Sequence, residues 1–167
     1  MTSRYPVAVT PGPSACRGRL RVMTDDRFAG VLSVGDRDPE LADVLEKGLD
    51  EHNFAATGTS EKDQGSFSVK VNRVDGEIVG GLTAWTWAGL CGISLLWVHR
   101  DHRKDGWGGK ILAAAEGEAR RRGCDRVCVS SFTFQAPGFY QRHGYVETGR
   151  TLGIPGGGED VHMFKRL

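Results

Sequence analysis

Between Ile93 and Gly123 the sequence changes its hydrophobic period once, and this change constrains the fold more than any other stretch. ISLLWV (93–98) is a short apolar run with the β-branched and aromatic content of a strand. RKDGWGGK (103–110) then sets Gly106, Gly108 and Gly109 between Arg103 and Lys110. After it Ile111, Leu112, Ala115 and Ala119 recur at helical spacing, with Gly123 placed to stop the helix. RVCVSSF (126–132) returns to strand character. A strand, a loop, a helix and a second strand make a crossover, so these two strands should lie parallel in one sheet.

The neighbouring segments point instead to antiparallel pairing. SFSVKVNRV, EIVGGLTAWTWA and CGISLLWV read as a three-strand meander, the first two strands joined at Asp75–Gly76, a strong hairpin signal. APGFYQRHG is a short helix with Pro137 in its first turn, and YVETGRTL and DVHMFKRL close the chain as two strands around IPGGGE. Upstream, Asp38–Pro39 starts a helix that Leu41, Val44, Leu45 and Leu49 carry to about Asn53. Residues 1–27, proline-rich and aperiodic, are expected to be a poorly ordered extension, and 28–167 a single domain. The fold class is α+β.

Charge names no macromolecular partner. Lys+Arg 22 against Asp+Glu 21 leaves a formal net charge of +1, without the basic excess of a general nucleic-acid binder. The longest apolar run is far short of a membrane span and no signal-peptide core opens the chain, so a cytoplasmic protein acting on neither nucleic acid nor membrane is expected. Cys16, Cys91, Cys124 and Cys128 make no zinc spacing with the five histidines. They read as core-filling thiols, with Cys124 and Cys128 on one face if their segment is a strand, and neither a metal nor a disulfide is expected. His99 and His102 lack a third ligand and read as loop histidines.

Glycines at the mouth of a helix leave bare backbone at the positive end of its dipole, and flanking cations make that a seat for phosphate. Two phosphate motifs fail. A P-loop would need glycine where Lys104 stands and Ser or Thr where Ile111 stands, and a dinucleotide fingerprint would need glycine at Ile111. What fits is RxxGxG, filled by Arg103, Gly106 and Gly108, with LLWV before it and FYQRHGY after it.

With both motifs in place the chain resembles the GNAT superfamily of acyl-CoA N-acyltransferases, through a strand ending in valine, the RxxGxG helix opening, and AxxFYxxxGF matched by Ala136, Phe139, Tyr140, Gly144 and Tyr145. The resemblance implies a mixed, mostly antiparallel sheet of about six or seven strands flanked by about four helices. It also implies acetyl-CoA as co-substrate, with its pyrophosphate on Arg103, Lys104, Gly106, Gly108, Gly109 and Lys110. The pantetheine arm would lie beside Leu96, Trp97 and Val98, where two central strands splay apart. Tyr140 corresponds to the tyrosine that protonates the leaving thiolate, and a phenol does this while staying neutral at physiological pH. Thr133 replaces an asparagine common in the family and keeps a single hydroxyl for the cofactor.

The acceptor is less legible. An attacking amine must be neutral, and among the residues near the end of the first helix His52 suits the base role better than Glu51, because an imidazole is largely neutral at pH 7. Trp85 and Trp87 share a strand face; lining an acceptor pocket and packing under a helix are equally open readings. Ser94, Ser130 and Ser131 add neutral polarity. The resulting expectation is an N-acetyltransferase that acts by direct attack in a ternary complex on a primary amine of a small molecule or peptide, with room for a homodimer. The alternative is a non-catalytic acyl-CoA sensor in which Tyr140 only packs.

Overall fold

The computed structural model describes residues 23–25 and 28–167, so most of the expected N-terminal extension, with Cys16, lies outside the described residues. The chain divides into two compact units, residues 1–56 and 57–167. In the first, β1 (Met23–Asp25) and β2 (Phe28–Leu32) pair antiparallel, with Met23 opposite Leu32. α1 (Pro39–Thr57) follows. Asp38 caps it by accepting a hydrogen bond from the Leu41 N–H at 3.0 Å, and Pro39 fills the first helical position, where a missing N–H costs nothing. The helix runs a turn beyond the expected end at Asn53, because FAAT has no breaker before Gly58, whose φ is +67°.

The second unit is built on one sheet of six strands, ordered β3-β4-β5-β6-β8-β7. The strands are β3 (Gln64–Asn72), β4 (Ile78–Trp87), β5 (Leu90–Val98), β6 (Arg126–Phe132), β7 (Val146–Ile154) and β8 (Gly158–Arg166). The Asp75–Gly76 turn joins β3 to β4 as expected: Gly76 takes φ +91° and its N–H reaches the Arg73 carbonyl at 3.0 Å. Every pairing is antiparallel except β5 with β6, which α2 (Trp107–Arg121) connects. α3 (Pro137–Arg142) links β6 to β7. Three α-helices are present among the described residues, not about four. The segment between α1 and β3 holds a single 3-10 turn, Glu61–Asp63, too short and polar to grow into another.

The core lies between the sheet and α2. Ile111, Leu112, Ala115 and Ala119 are each at most 1% exposed and meet Leu82, Val127, Val161 and Met163 from the strands. Burying a side chain the size of Ile111 or Leu112 contributes roughly 1.5–3 kcal/mol, so this stripe fixes α2 and the loop before it. The helix ends in a Schellman motif: Gly123 takes φ +80°, its N–H reaches Arg120 O, and the Cys124 N–H reaches Ala119 O. Cys124 therefore belongs to the helix cap, ahead of the strand that starts at Arg126, and does not share a strand face with Cys128. No helix among the described residues is long and apolar enough to cross a membrane.

Candidate active site

β5 and β6 pair over only three positions, Leu90 with Arg126, Cys91 with Val127 and Gly92 with Cys128. Past them the two strands part. The register of β5 against β4 shifts between Thr83 and Ala84, whose partners are Leu95 and Ile93, so Ser94 is an extra residue that bends the strand. Trp85 covers Gly92, the last β5 residue paired to β6: a Cβ there would sit 2.1 Å from its indole, so only bare backbone fits under the ring. From Ile93 to Val98 the edge of β5 that faces β6 has no strand partner among the described residues, and an amide chain can pair with such an edge. Leu96 packs on the core, Trp97 is exposed on the other face, and the Val98 carbonyl accepts a hydrogen bond from Arg103 Nε at 3.1 Å.

Arg103 thus folds the loop back onto the end of β5. Lys104 takes φ +82°, a strained value for a residue with a side chain, and Gly106 takes φ +77° as the N-cap of α2. The first intrahelical bond of α2 runs from the Lys110 N–H to Gly106 O, leaving the N–H groups of Trp107, Gly108 and Gly109 without helical partners. No side chain among the described residues caps this end. These free donors, the helix dipole and the two positive-φ residues make an anion cradle. The Trp107 side chain packs against the core with Lys110 Nζ 4.5 Å from its ring centroid, so its bulk does not obstruct the cradle.

The glycines differ in what they face. A Cβ on Gly106 would meet nothing within 4 Å. One on Gly108 would stand 3.1 Å from the Phe139 ring, and one on Gly109 3.0 Å from His143 Nε2. A side chain at Gly108 or Gly109 would therefore press on Phe139 of α3 or on His143 just after it, a constraint that the phosphate reading of the sequence did not contain. Nearby, His99 Nδ1 accepts a hydrogen bond from the Asp101 N–H at 3.3 Å and His102 Nδ1 lies 3.6 Å from Asp105 Oδ2, which are local loop contacts. Among the described residues no group of three or more His, Cys, Asp or Glu side chains is placed to hold a metal ion.

α3 supplies Tyr140, 7% exposed, stacked edge-on between Phe139 and Tyr145 with ring centroids at 5.1 and 5.5 Å. Burial pushes its phenol up to about 12, so it stays protonated throughout the physiological range. Thr133, just past β6, accepts a hydrogen bond from the Glu159 N–H at 3.1 Å, which ties it to the β7–β8 hairpin and leaves its own hydroxyl proton to donate. Behind Tyr145 lies a buried group that the sequence reading missed. Glu116 of α2, 7% exposed, takes Lys165 Nζ on both oxygens at 2.8 Å and the Tyr145 hydroxyl at 3.2 Å. The only sequence signal was a glutamate inside the apolar stripe of α2. Trp85 and Trp87 are both half-buried in β4, and His52 is exposed on α1, in the other unit.

The profile of the acetyltransferase (GNAT) family matches residues 23–145. The chain belongs to the GNAT family. An acetyltransferase of Agrobacterium fabrum is 31% identical over 129 residues, 77% of this chain and 92% of that protein. The blasticidin-S acetyltransferase of Streptomyces morookaense is 45% identical over 74 residues, 42% of this chain and 52% of that protein. The crystal structure of an acetyltransferase from Bacillus cereus is similar with a TM-score of 0.71 at 29% identity, covering 80% of this chain and 96% of that one. This GNAT protein is an acetyl-CoA-dependent acetyltransferase. Its mixed, mostly antiparallel sheet is that of its structural neighbours.

Proposed function

We propose that the enzyme moves the acetyl group of acetyl-CoA onto a primary amine of a small molecule by direct attack in a ternary complex. The observation that carries this reading is the fork between β5 and β6, with an unpaired strand edge on one side and the open N-terminus of α2 at its end. The pyrophosphate sits on the N–H groups from Lys104 to Gly109, with Arg103 and Lys110 adding charge. The pantetheine amides pair with β5 at Leu96, Trp97 and Val98, and the Thr133 hydroxyl donates to the arm from the β6 side. A β5 N–H at the fork stabilises the oxyanion that forms as the amine attacks.

Tyr140 gives its proton to the leaving thiolate, a role that burial supports by holding the phenol neutral. A covalent thiol route is disfavoured by the same physics. Desolvation pushes Cys91 up to about 12 and raises Cys124 and Cys128 as well, leaving all three as neutral, unreactive thiols. The relative named for blasticidin-S favours a small-molecule acceptor over a peptide, with Trp85 and Trp87 as aromatic walls beside it. The test is thiol release from acetyl-CoA across a panel of primary amines that includes blasticidin-S, with mass spectrometry of the products. N-acetylated product formed without an acetylated-enzyme intermediate is expected. Tight acetyl-CoA binding with no product from any amine would replace the reading with that of a sensor.

A further inference from the structure

The amine that attacks must lose a proton, and His52, the base suggested by the sequence, lies on α1 in the other unit, so no group of the sheet unit described so far collects it. β8 carries a histidine that neither the motif pattern nor the acid assignment uses. We propose that His162 is the acceptor-side base, an inference that rests on the acetyl-transfer reading above. Ser130 stands two residues past Cys128, the last residue of β6 paired to β5, so it borders the gap where the strands part. His162 is the register partner of Ser130 in β8, one strand spacing away, about 4.8 Å, with its side chain on the same sheet face. That face is opposite the one covered by α2, where Val161 and Met163 are buried, and His162 is exposed on it.

β7 is bent around this residue. Thr148 is an extra residue between Glu147 and Gly149, and its hydroxyl donates to the His162 carbonyl at 3.2 Å. The bulge puts Gly149 opposite His162, so no cross-strand side chain crowds the ring. Thr151 then meets the ring itself, with Oγ1 2.9 Å from Nε2. Bulges that re-aim a side chain are concentrated beside active sites. One ring nitrogen is thereby pinned, while Nδ1 has no partner among the described residues. With Nε2–H donating to Thr151, Nδ1 presents its lone pair. The charged groups on this face of the adjoining strands are Asp160, two residues before on β8, and Arg126 and Arg166 at the far end of the sheet. Ser130 and Thr151, the nearest polar side chains on β6 and β7, are neutral.

The proton balance closes with Tyr140. The amine nitrogen bonds to the acetyl carbon, and the C–S bond breaks with its electron pair on sulfur, which takes the Tyr140 proton. The surplus proton on nitrogen passes to His162 Nδ1, directly or through one water. The imidazolium then returns a proton to the Tyr140 phenolate through solvent, and the enzyme is restored.

Two measurements test this on the full chain. In the first, ¹⁵N-histidine NMR, with His162 assigned by the loss of its signals in His162→Gln, reads the tautomer without any acceptor. A neutral ring protonated at Nε2 at pH 7.5 is expected; a proton on Nδ1 at that pH overturns the proposal. In the second, single-turnover acetylation of blasticidin-S by His162→Ala should fall about 10²–10⁴-fold with acetyl-CoA affinity unchanged. The acid limb of kcat/KM between pH 5 and 8 should vanish, and added imidazole should restore part of the rate. A His162→Ala rate within twofold of wild type, with its acid limb intact, would also overturn it. A wild-type enzyme that leaves blasticidin-S unmodified counts against the acceptor named above, while the NMR measurement still decides for or against His162.

Discussion

The two ends of α2 handle their polar groups in opposite ways. At the N-terminus, Trp107, Gly108 and Gly109 hold free N–H groups, no side chain among the described residues caps them, and the approach runs through the positive φ angles of Lys104 and Gly106. Toward the C-terminus the bonding is dense. Glu116 is held by Lys165 and Tyr145, Glu118 by Arg121 and Arg122, and the last carbonyls by the Schellman motif at Gly123. Arg122 also bonds the Ser66 carbonyl at 3.1 Å and lies over the Phe67 ring, locking the helix to β3. Unpaired donors are costly where nothing else meets them. In the proposed reading acetyl-CoA completes the open end, and the closed end holds the helix in place for it.

The comparison breaks most visibly at the buried pair. Lys165→Ala leaves the Glu116 carboxylate buried without its counter-charge and should cost about 3–5 kcal/mol in urea unfolding. The folded fraction should bind acetyl-CoA as wild type does, since the pair lies away from the cradle. Gly108→Val tests the open end: overpacking against Phe139 should cost about 1–3 kcal/mol. Displaced N–H donors should weaken acetyl-CoA binding by calorimetry about tenfold or more. Wild-type affinity in that variant would remove the cradle from the account. Gly123→Ala forces a side chain into φ +80° and should cost roughly 1 kcal/mol with no change in cofactor binding.

The smallest effect is a pH dependence. Hydrogen bonds from Arg121 and Arg122 lower Glu118 from 4.5 to about 2. A carboxyl whose folded value lies below its unfolded one stabilises the protein fully above the unfolded value, and that contribution fades as pH falls from about 4.5 toward 2. Glu118→Gln should therefore lower stability slightly at neutral pH, leave it unchanged at the acid end where the carboxylate is already protonated, and so flatten the curve between them.

Local pattern made most of the fold legible. The Asp75–Gly76 turn, Pro137 at the start of α3, Gly123 at the end of α2 and the strand RVCVSSF each carry their own signal, and each is where the sequence put it. The RxxGxG loop was legible for the same reason, because glycine and cation spacing is a local property. What was hidden depends on partners distant in sequence. That Gly108 and Gly109 face Phe139 and His143 is a property of helix packing. Glu116 finds Lys165 across 49 residues, and its place in the apolar stripe of α2 marked it only as an anomaly. The extra residue Ser94, which helps open the fork, shows only in the register of β5 against β4.

The central claim is that this enzyme holds acetyl-CoA at the fork and protonates its leaving thiolate from Tyr140. The most direct test is Tyr140→Phe, with acetyl-CoA affinity from calorimetry set beside the single-turnover rate on an amine that the wild type acetylates. The change removes one hydroxyl and keeps the ring between Phe139 and Tyr145. Affinity should stay near wild type while the rate falls about 10²–10⁴-fold. A Phe variant that turns over at the wild-type rate under these conditions would contradict the account and return Tyr140 to core packing alone.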